Sequence, residues 1–120
     1  MHTAEHLQAM LSSAVYIVDK QGKLLAYRDD SQNCAFDFDE VKNGKLSEES
    51  MSFIYRYTQS TGNIAHDGRY LMIMPINNMG ERIGTVVYSR SKKGFDSEEI
   101  ILGEYGAAIS AVQLLRMINR

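Results

Sequence analysis

Residues 70–89 constrain the fold of this chain more than any other stretch. Two runs rich in β-branched and apolar residues, 70–76 and 82–89, flank Asn77-Asn78-Met79-Gly80-Glu81. Apolar runs joined by a polar, glycine-containing connection read as an antiparallel hairpin. Such a hairpin belongs to an antiparallel sheet with helices packed against it. A chain of 120 residues has room for one such core and not for two. Residues 1–120 are therefore expected to form a single domain.

The other elements arrange themselves around this hairpin. Leu7, Met10, Leu11 and Ala14 recur at helical spacing, with Thr3 in N-cap position and Glu5 in the first turn. Residues 14–18 are too β-branched and uniformly apolar for a surface helix and read as a buried strand. It turns at Lys20-Gln21-Gly22-Lys23 into a returning strand over 24–27. Residues 28–46 are polar, with Asn43-Gly44 as a turn dipeptide, and read as a long loop with room for one helical turn. Ser47 then caps a helix whose first turn carries Glu48 and Glu49. Leu46 staples onto Met51, Met51, Ile54 and Tyr55 form the buried stripe, and Gly62 is the expected stop. His66-Asp67-Gly68 is a polar turn leading into the hairpin. The last helix starts at an Asp96/Glu99 capping box with Phe95 stapled to Ile100, and Ile101, Tyr105, Ile109, Val112 and Leu115 carry its apolar spacing. It reaches the end of the sequence without a C-cap, which reads as a helix continuing into a longer parent chain. The order α-β-β-loop-α-β-β-α gives an antiparallel sheet with helices packed on it, in the α+β class.

Apolar content of 44% and charged content of 23% are those of an ordinary globular chain. A net charge of −2 and the absence of any Lys/Arg run beyond Arg90, Lys92 and Lys93 argue against nucleic-acid binding by this segment itself. The lone cysteine, Cys34, excludes an internal disulfide and suits the cytoplasm. The N-terminus lacks a signal-peptide pattern, and no uninterrupted apolar run has membrane-spanning length.

No catalytic signature is present: no GxSxG, HExxH or CxxC, and no phosphate-binding glycine loop. An enzyme is not expected, nor a cofactor. His2 and His6 share a helical face but have no third ligand nearby in sequence, so a metal is not expected either. Cys34 has no Lys, Arg or His beside it in sequence that would activate the thiol. Gly103 and Gly106 sit inside the last helix, where glycine costs about 1 kcal/mol. Close packing against the sheet or against a second copy of the helix would explain them. The methionines at 51, 72 and 74 fit a core, and their flexible thioethers also suit a pocket for an apolar ligand.

Residues 80–90, Gly-Glu-Arg-Ile-Gly-Thr-Val-Val-Tyr-Ser-Arg, and 95–107, which include Leu102-Gly103-Glu104-Tyr105-Gly106-Ala107, closely resemble the second hairpin and last helix of CodY-family regulators. Pro75-Ile76 and the segment Tyr16-Ile17-Val18 through Gly22-Lys23-Leu24-Leu25 to Tyr27 extend the likeness. The resemblance implies a GAF-like antiparallel sheet with the N- and C-terminal helices on one face and a ligand loop and helix on the other. It also implies a sensor of branched-chain amino acids, isoleucine above all, linked by a long helix to a winged helix-turn-helix absent from this chain. Family members repress nutrient-starvation genes, and some respond to GTP.

Departures from the family fall in the ligand loop. The family's carboxylate-binding arginine has no counterpart between Arg28 and Arg56, and Asp37 stands at about its place. Phe38 and Val41 fall at its two methionine positions and Leu46-Ser47 at its Phe-Pro pair, while a ligand-holding stretch is missing around 64–67. The expected pocket comprises Phe36, Phe38, Val41, Leu46, Met51, Met74 and Pro75, holding a small apolar or amino-acid ligand of the isoleucine/valine class. The rival expectation is a ligand-free dimerisation or interaction module. In either case a homodimer through the terminal helices is expected, with DNA reached only through the absent domain and no membrane contact.

Overall fold

The computed structural model of the protein describes residues 3–118. Its centre is the expected hairpin: β4 (Arg69–Asn78) and β5 (Glu81–Arg90) pair along their whole length. The connection is tighter than the expected five-residue loop. Only Met79 and Gly80 remain, with φ of 53° and 81°, the positive values a two-residue type I′ turn requires. β1 (Ala14–Asp19) runs antiparallel to β5 on its other side, and β2 (Leu24–Arg28) returns along β1. Ala14, Val15, Tyr16, Ile17 and Val18 are completely buried, because β1 is covered on both faces.

A fifth strand, β3 (Thr61–His66), pairs with β4 and completes the order β2-β1-β5-β4-β3. The sequence reading missed it and took Gly62 for a helix stop. β3 is a half-exposed edge strand without apolar alternation, broken by a register shift between Thr61 and Ile64. The turn after it matches expectation: Asp67 and Gly68 both carry positive φ.

One face of the sheet carries α1 (Thr3–Leu11) and α4 (Ser97–Ile118), packed on Val15, Ile17, Met72, Met74, Val86 and Tyr88. The other carries α2 (Phe38–Asn43), α3 (Glu48–Tyr55) and the preceding segment, over Tyr16, Val18, Ile73 and Val87. This is the expected α+β, GAF-like arrangement. Thr3 proves to be a helical residue of α1, buried rather than flanking it, and His2 lies outside the described residues.

The helix starts behave as their sequences require. Ser47 Oγ accepts the Ser50 amide at 3.1 Å. In the Asp96/Glu99 box each side chain accepts the other's amide, at 2.8 and 3.0 Å. Two buried stripes need correction. α3 buries Ile54 completely, but Tyr55 is turned outward, under Arg82. α4 buries Gly103, Gly106, Ala107, Ser110 and Leu114, while Ile101, Tyr105, Ile109 and Val112 face outward. A Cβ at Gly106 would stand 2.5 Å from Leu7 Cδ2 and 2.6 Å from Tyr88 Oη. The glycines thus let α4 approach α1 and the sheet, and this small-residue face, not the larger apolar one, packs inward.

Candidate functional site

The segment between β2 and α2, which the sequence presents as a long polar loop, frames the site. Tyr16, in the buried strand β1, projects from the α3 face of the sheet. Its hydroxyl donates to Asp29 Oδ2 at 2.9 Å and accepts the Ala35 amide at 3.0 Å. Burial pushes the Tyr16 hydroxyl well above its ordinary pKa, so it remains a neutral donor. Asp30 accepts the amides of Gln32 and Asn33, and Asn33 Oδ1 accepts the Ser91 amide at 3.0 Å. Arg69 donates to the Ser31 carbonyl at 3.2 Å and approaches Cys34 Sγ at 3.6 Å. The segment is therefore tied to β1, β4 and the end of β5. Tyr16→Phe should cost about 1–3 kcal/mol, because it leaves the Ala35 amide without its acceptor. Faster hydrogen exchange at Ala35, with the sheet amides unchanged, is the expected signature.

This anchoring sets Phe36 edge-on against Tyr16, with ring centroids 4.8 Å apart. Phe36 borders two principal hollows. The first, of about 380 Å³, lies between α2–α3 and the β3–β4 edge; Phe53, Leu71, Arg56, His66, Asp37 and Glu40 are among its walls. The second, of about 620 Å³, is lined by Tyr27, Phe36, Phe38, Val41, Cys34 and Lys42, among others. The first is lined mainly by polar and charged side chains, with Phe36, Phe53 and Leu71 as its large apolar members. The second opens to solvent beside Phe38, whose side chain is largely exposed.

The expected pocket residues divide in three. Phe36, Phe38 and Val41 meet around the larger hollow. Leu46 and Met51 join Val41 and Ile54 in the core beneath α2 and α3. Met74 does not belong with them: it lies completely buried in the core under the terminal helices. Residues alternate across a strand, and Met72, Met74 and Ile76 take the terminal-helix face, whereas Ile73 takes the α3 face. Pro75 pairs with Thr85 and is half-buried, and neither hollow has it as a lining residue.

Phe53, Arg56, His66 and Leu71 were not expected at the site. The His66 ring stacks on Phe53 at 4.4 Å, and Arg56 lies 5.9 Å from the same ring. His66 reaches the wall because β3 exists, and no local sequence signal marked that strand. Asp37 and Glu40 add negative charge. Burial opposes ionisation of Glu40, but hydrogen bonds from Ser47, Ser50 and Asp37 outweigh it and hold the carboxyl below its usual range. The Ser47 amide bond to it is 2.7 Å long. Among the described residues, no three His, Cys, Asp or Glu side chains are grouped to hold a metal ion.

Arg82, from the 80–90 segment that carries the family likeness, holds α3 in place. It donates to the Tyr57 and Ile54 carbonyls at 3.0 and 3.3 Å and to Thr85 Oγ1 at 2.9 Å, with its guanidinium 4.0 Å over Tyr55. Burial draws its pKa downward. The helix therefore ends near Tyr55 with its last carbonyls taken up by a neighbouring strand, well before Gly62.

The family model of the CodY GAF-like domain matches residues 1–120. The global transcriptional regulator CodY of Thermoanaerobacter sp. (strain X514) is 29% identical over 123 residues, covering 97% of this chain and 49% of the relative. That of Caldanaerobacter subterraneus subsp. tengcongensis is 30% identical over 131 residues, covering 99% and 50%. The chain thus spans about half the length of the curated relatives it matches. Among solved structures, the cofactor-binding GAF domain of the nutrient sensor CodY from Clostridium difficile superposes with a TM-score of 0.76 at 25% identity, over 92% of this chain and 81% of that one. MglB in a tetrameric arrangement shares the fold alone, with a TM-score of 0.63 at 10% identity over 94% and 85%. The single sheet with helices on both faces and the match along the whole sequence lead to one assignment: this chain belongs to the CodY GAF-like domain family.

Proposed function

We infer that this domain is the effector-sensing part of a CodY-type transcriptional regulator, a binding module rather than an enzyme. It would act in the cytoplasm and reach DNA only through a separate domain. The observation that carries this reading is the 380 Å³ hollow, a mainly polar space whose lining joins Phe36, Phe53 and Leu71 to a single guanidinium, Arg56. A small apolar amino acid of the isoleucine/valine class has matching chemistry: an aliphatic side chain for these apolar residues and a carboxylate for Arg56. Asp37, Glu40, Glu49 and Asp67 surround the same space and could engage the ammonium group. In this reading Arg56 takes the anchoring role that the family gives to an arginine at about the place of Asp37.

Thermal unfolding with isoleucine, valine and leucine tests this. A ligand at 100 times its dissociation constant should stabilise the domain by about 2.7 kcal/mol, and Arg56→Gln should abolish the shift without lowering the melting temperature of the free protein. No shift with any of the three at millimolar concentration would overturn the amino-acid reading. That outcome would favour the ligand-free interaction module, for which the four carboxylates around the hollow are the supporting observation.

A further inference from the structure

The start of α4 is tied down from two strands of different standing. Arg90 holds Glu99 from β5, a central strand between β1 and β4. The second tie comes from β3, the edge strand beside β4. Asn63 Oδ1 accepts the Phe95 amide at 2.6 Å, and Asn63 Nδ2 donates to the Phe95 carbonyl at 2.8 Å. A side-chain amide carries both an acceptor and a donor, so it engages both backbone groups of one residue at once.

The backbone is arranged around this contact. Three steps along β3, from Thr61 to Ile64, oppose two along β4, from Ile73 to Leu71, which makes a bulge. Asn63 stands in it with φ of 57°, a left-handed conformation that asparagine adopts more readily than most residues. A Cβ at Gly94 would lie 2.7 Å from Asn63 Oδ1, and one at Gly62 would lie 2.9 Å from Ile100 Cδ1. The strand and the start of the helix therefore meet at near-contact distance. Three residues further along β3, about 10 Å of strand, His66 forms a wall of the 380 Å³ hollow and stacks on Phe53.

We propose that β3 couples this hollow to α4. A shift of His66 moves the edge strand, and Asn63 passes the movement to residues 95–100. The tie from Arg90 stays with the central sheet, so the first turn of α4 tightens or loosens on its β3 side. Such a coupling acts equally in both directions. It is a property of the free domain and rests on the reading of the hollow as a ligand site only for what would drive it.

Amide hydrogen exchange of the 120-residue chain in a double-mutant cycle tests this without a ligand. His66→Ala should speed exchange of the Ile100, Ile101 and Leu102 amides at least about fivefold, the lower end for coupled sites. The amides of β1 and of residues 107–114 should be unchanged. Asn63→Gly, which keeps the left-handed backbone and removes the tie, should speed the same three amides by itself, and His66→Ala added to it should have no further effect. Asn63→Asp, which retains the acceptor for the Phe95 amide, should fall between the unaltered protein and Asn63→Gly. Unchanged rates at 100–102 in His66→Ala would overturn the proposal, as would an equal effect of His66→Ala with and without Asn63. Acceleration spread evenly over β1 and α4 would overturn it too, in favour of a general loss of stability. The thermal shifts with isoleucine, valine and leucine judge the hollow's ligand separately, so either idea can fail alone.

Discussion

Arg90→Met is expected to lower the unfolding free energy by about 3 kcal/mol, the lower end of the range for breaking a buried ion pair. Arg90 closes β5, and it is 4% exposed, although its position beside Lys92 and Lys93 reads as a surface cation. Its guanidinium donates to both Glu99 oxygens at 2.7 and 3.0 Å, to the Leu11 carbonyl at 2.7 Å and to the Lys93 and Gly94 carbonyls, with Phe95 stacked beneath it at 4.2 Å. One side chain thus fastens the end of α1, the loop before α4 and the first turn of α4 to the sheet. Methionine keeps much of the volume and strands every acceptor. The lower end of the range is appropriate because the Glu99 side chain retains about 20% exposure and can partly rehydrate.

The same pair sets a pH dependence. The hydrogen bond from Arg90 is the main cause holding Glu99 at about 2 instead of its ordinary 4.5. A carboxyl depressed in the folded state contributes its full stabilisation above the unfolded value and loses it as pH falls through the folded one. Urea unfolding of the unaltered protein should therefore show stability declining between about pH 4.5 and pH 2 through this group. In Arg90→Met that part of the decline should be absent, and an unchanged slope would show that the pair contributes little.

Gly84→Ala is expected to cost about 2–3 kcal/mol, within the range for overpacking a close-packed site. A Cβ there would lie 2.8 Å from the Val18 carbonyl oxygen and 2.8 Å from Leu114 Cδ1. The carbonyl belongs to the adjacent central strand, which pairs with β5 at this position and cannot yield without disturbing the ladder. Gly103→Ala is the informative control. Its Cβ would meet the Met72 methyl at 2.9 Å and the Met74 methyl at 3.3 Å, ends of flexible thioethers that can swing aside. A gain of up to about 1 kcal/mol in helix propensity offsets the contact, so the net change should be close to zero. Chemical denaturation of the two single variants side by side checks the contrast. Equal losses would mean that the rigidity of the neighbouring backbone is not what matters at Gly84.

Much of the architecture was legible in local pattern. The 70–89 hairpin, the buried β1, the Ser47 and Asp96 caps and the α+β class all follow from periodicity, turn residues and capping chemistry, which act within a few positions of one another. β3 was not legible, because an edge strand with one inward apolar residue and a bulge carries no alternation. The outward stripe of α4 was misread for a related reason: periodicity locates an apolar face but does not say whether the protomer's own sheet or another surface covers it. Here Gly106, where a Cβ would collide with Leu7 and Tyr88, permits close approach on the opposite side.

The candidate site was legible only in its local part. Phe36, Phe38, Val41, Leu46 and Met51 were drawn from one continuous segment, and folding keeps them on one face of the sheet. Arg56, His66 and Phe53 come together only through the pairing of β3 with β4 and the clamp of Arg82 on α3. Arg69 reaches Cys34 across 35 positions, so the absence of a basic neighbour in sequence did not describe the thiol's surroundings. For this protein the hairpin, the caps and the alternation of strand residues were determined by the sequence itself, because hydrogen bonding and burial within a single element act over short spans. Which face of α4 turned inward, where Met74 went and which cation met the hollow were decided only by the tertiary structure. Each depends on contacts between elements far apart in the chain, and no local periodicity encodes those.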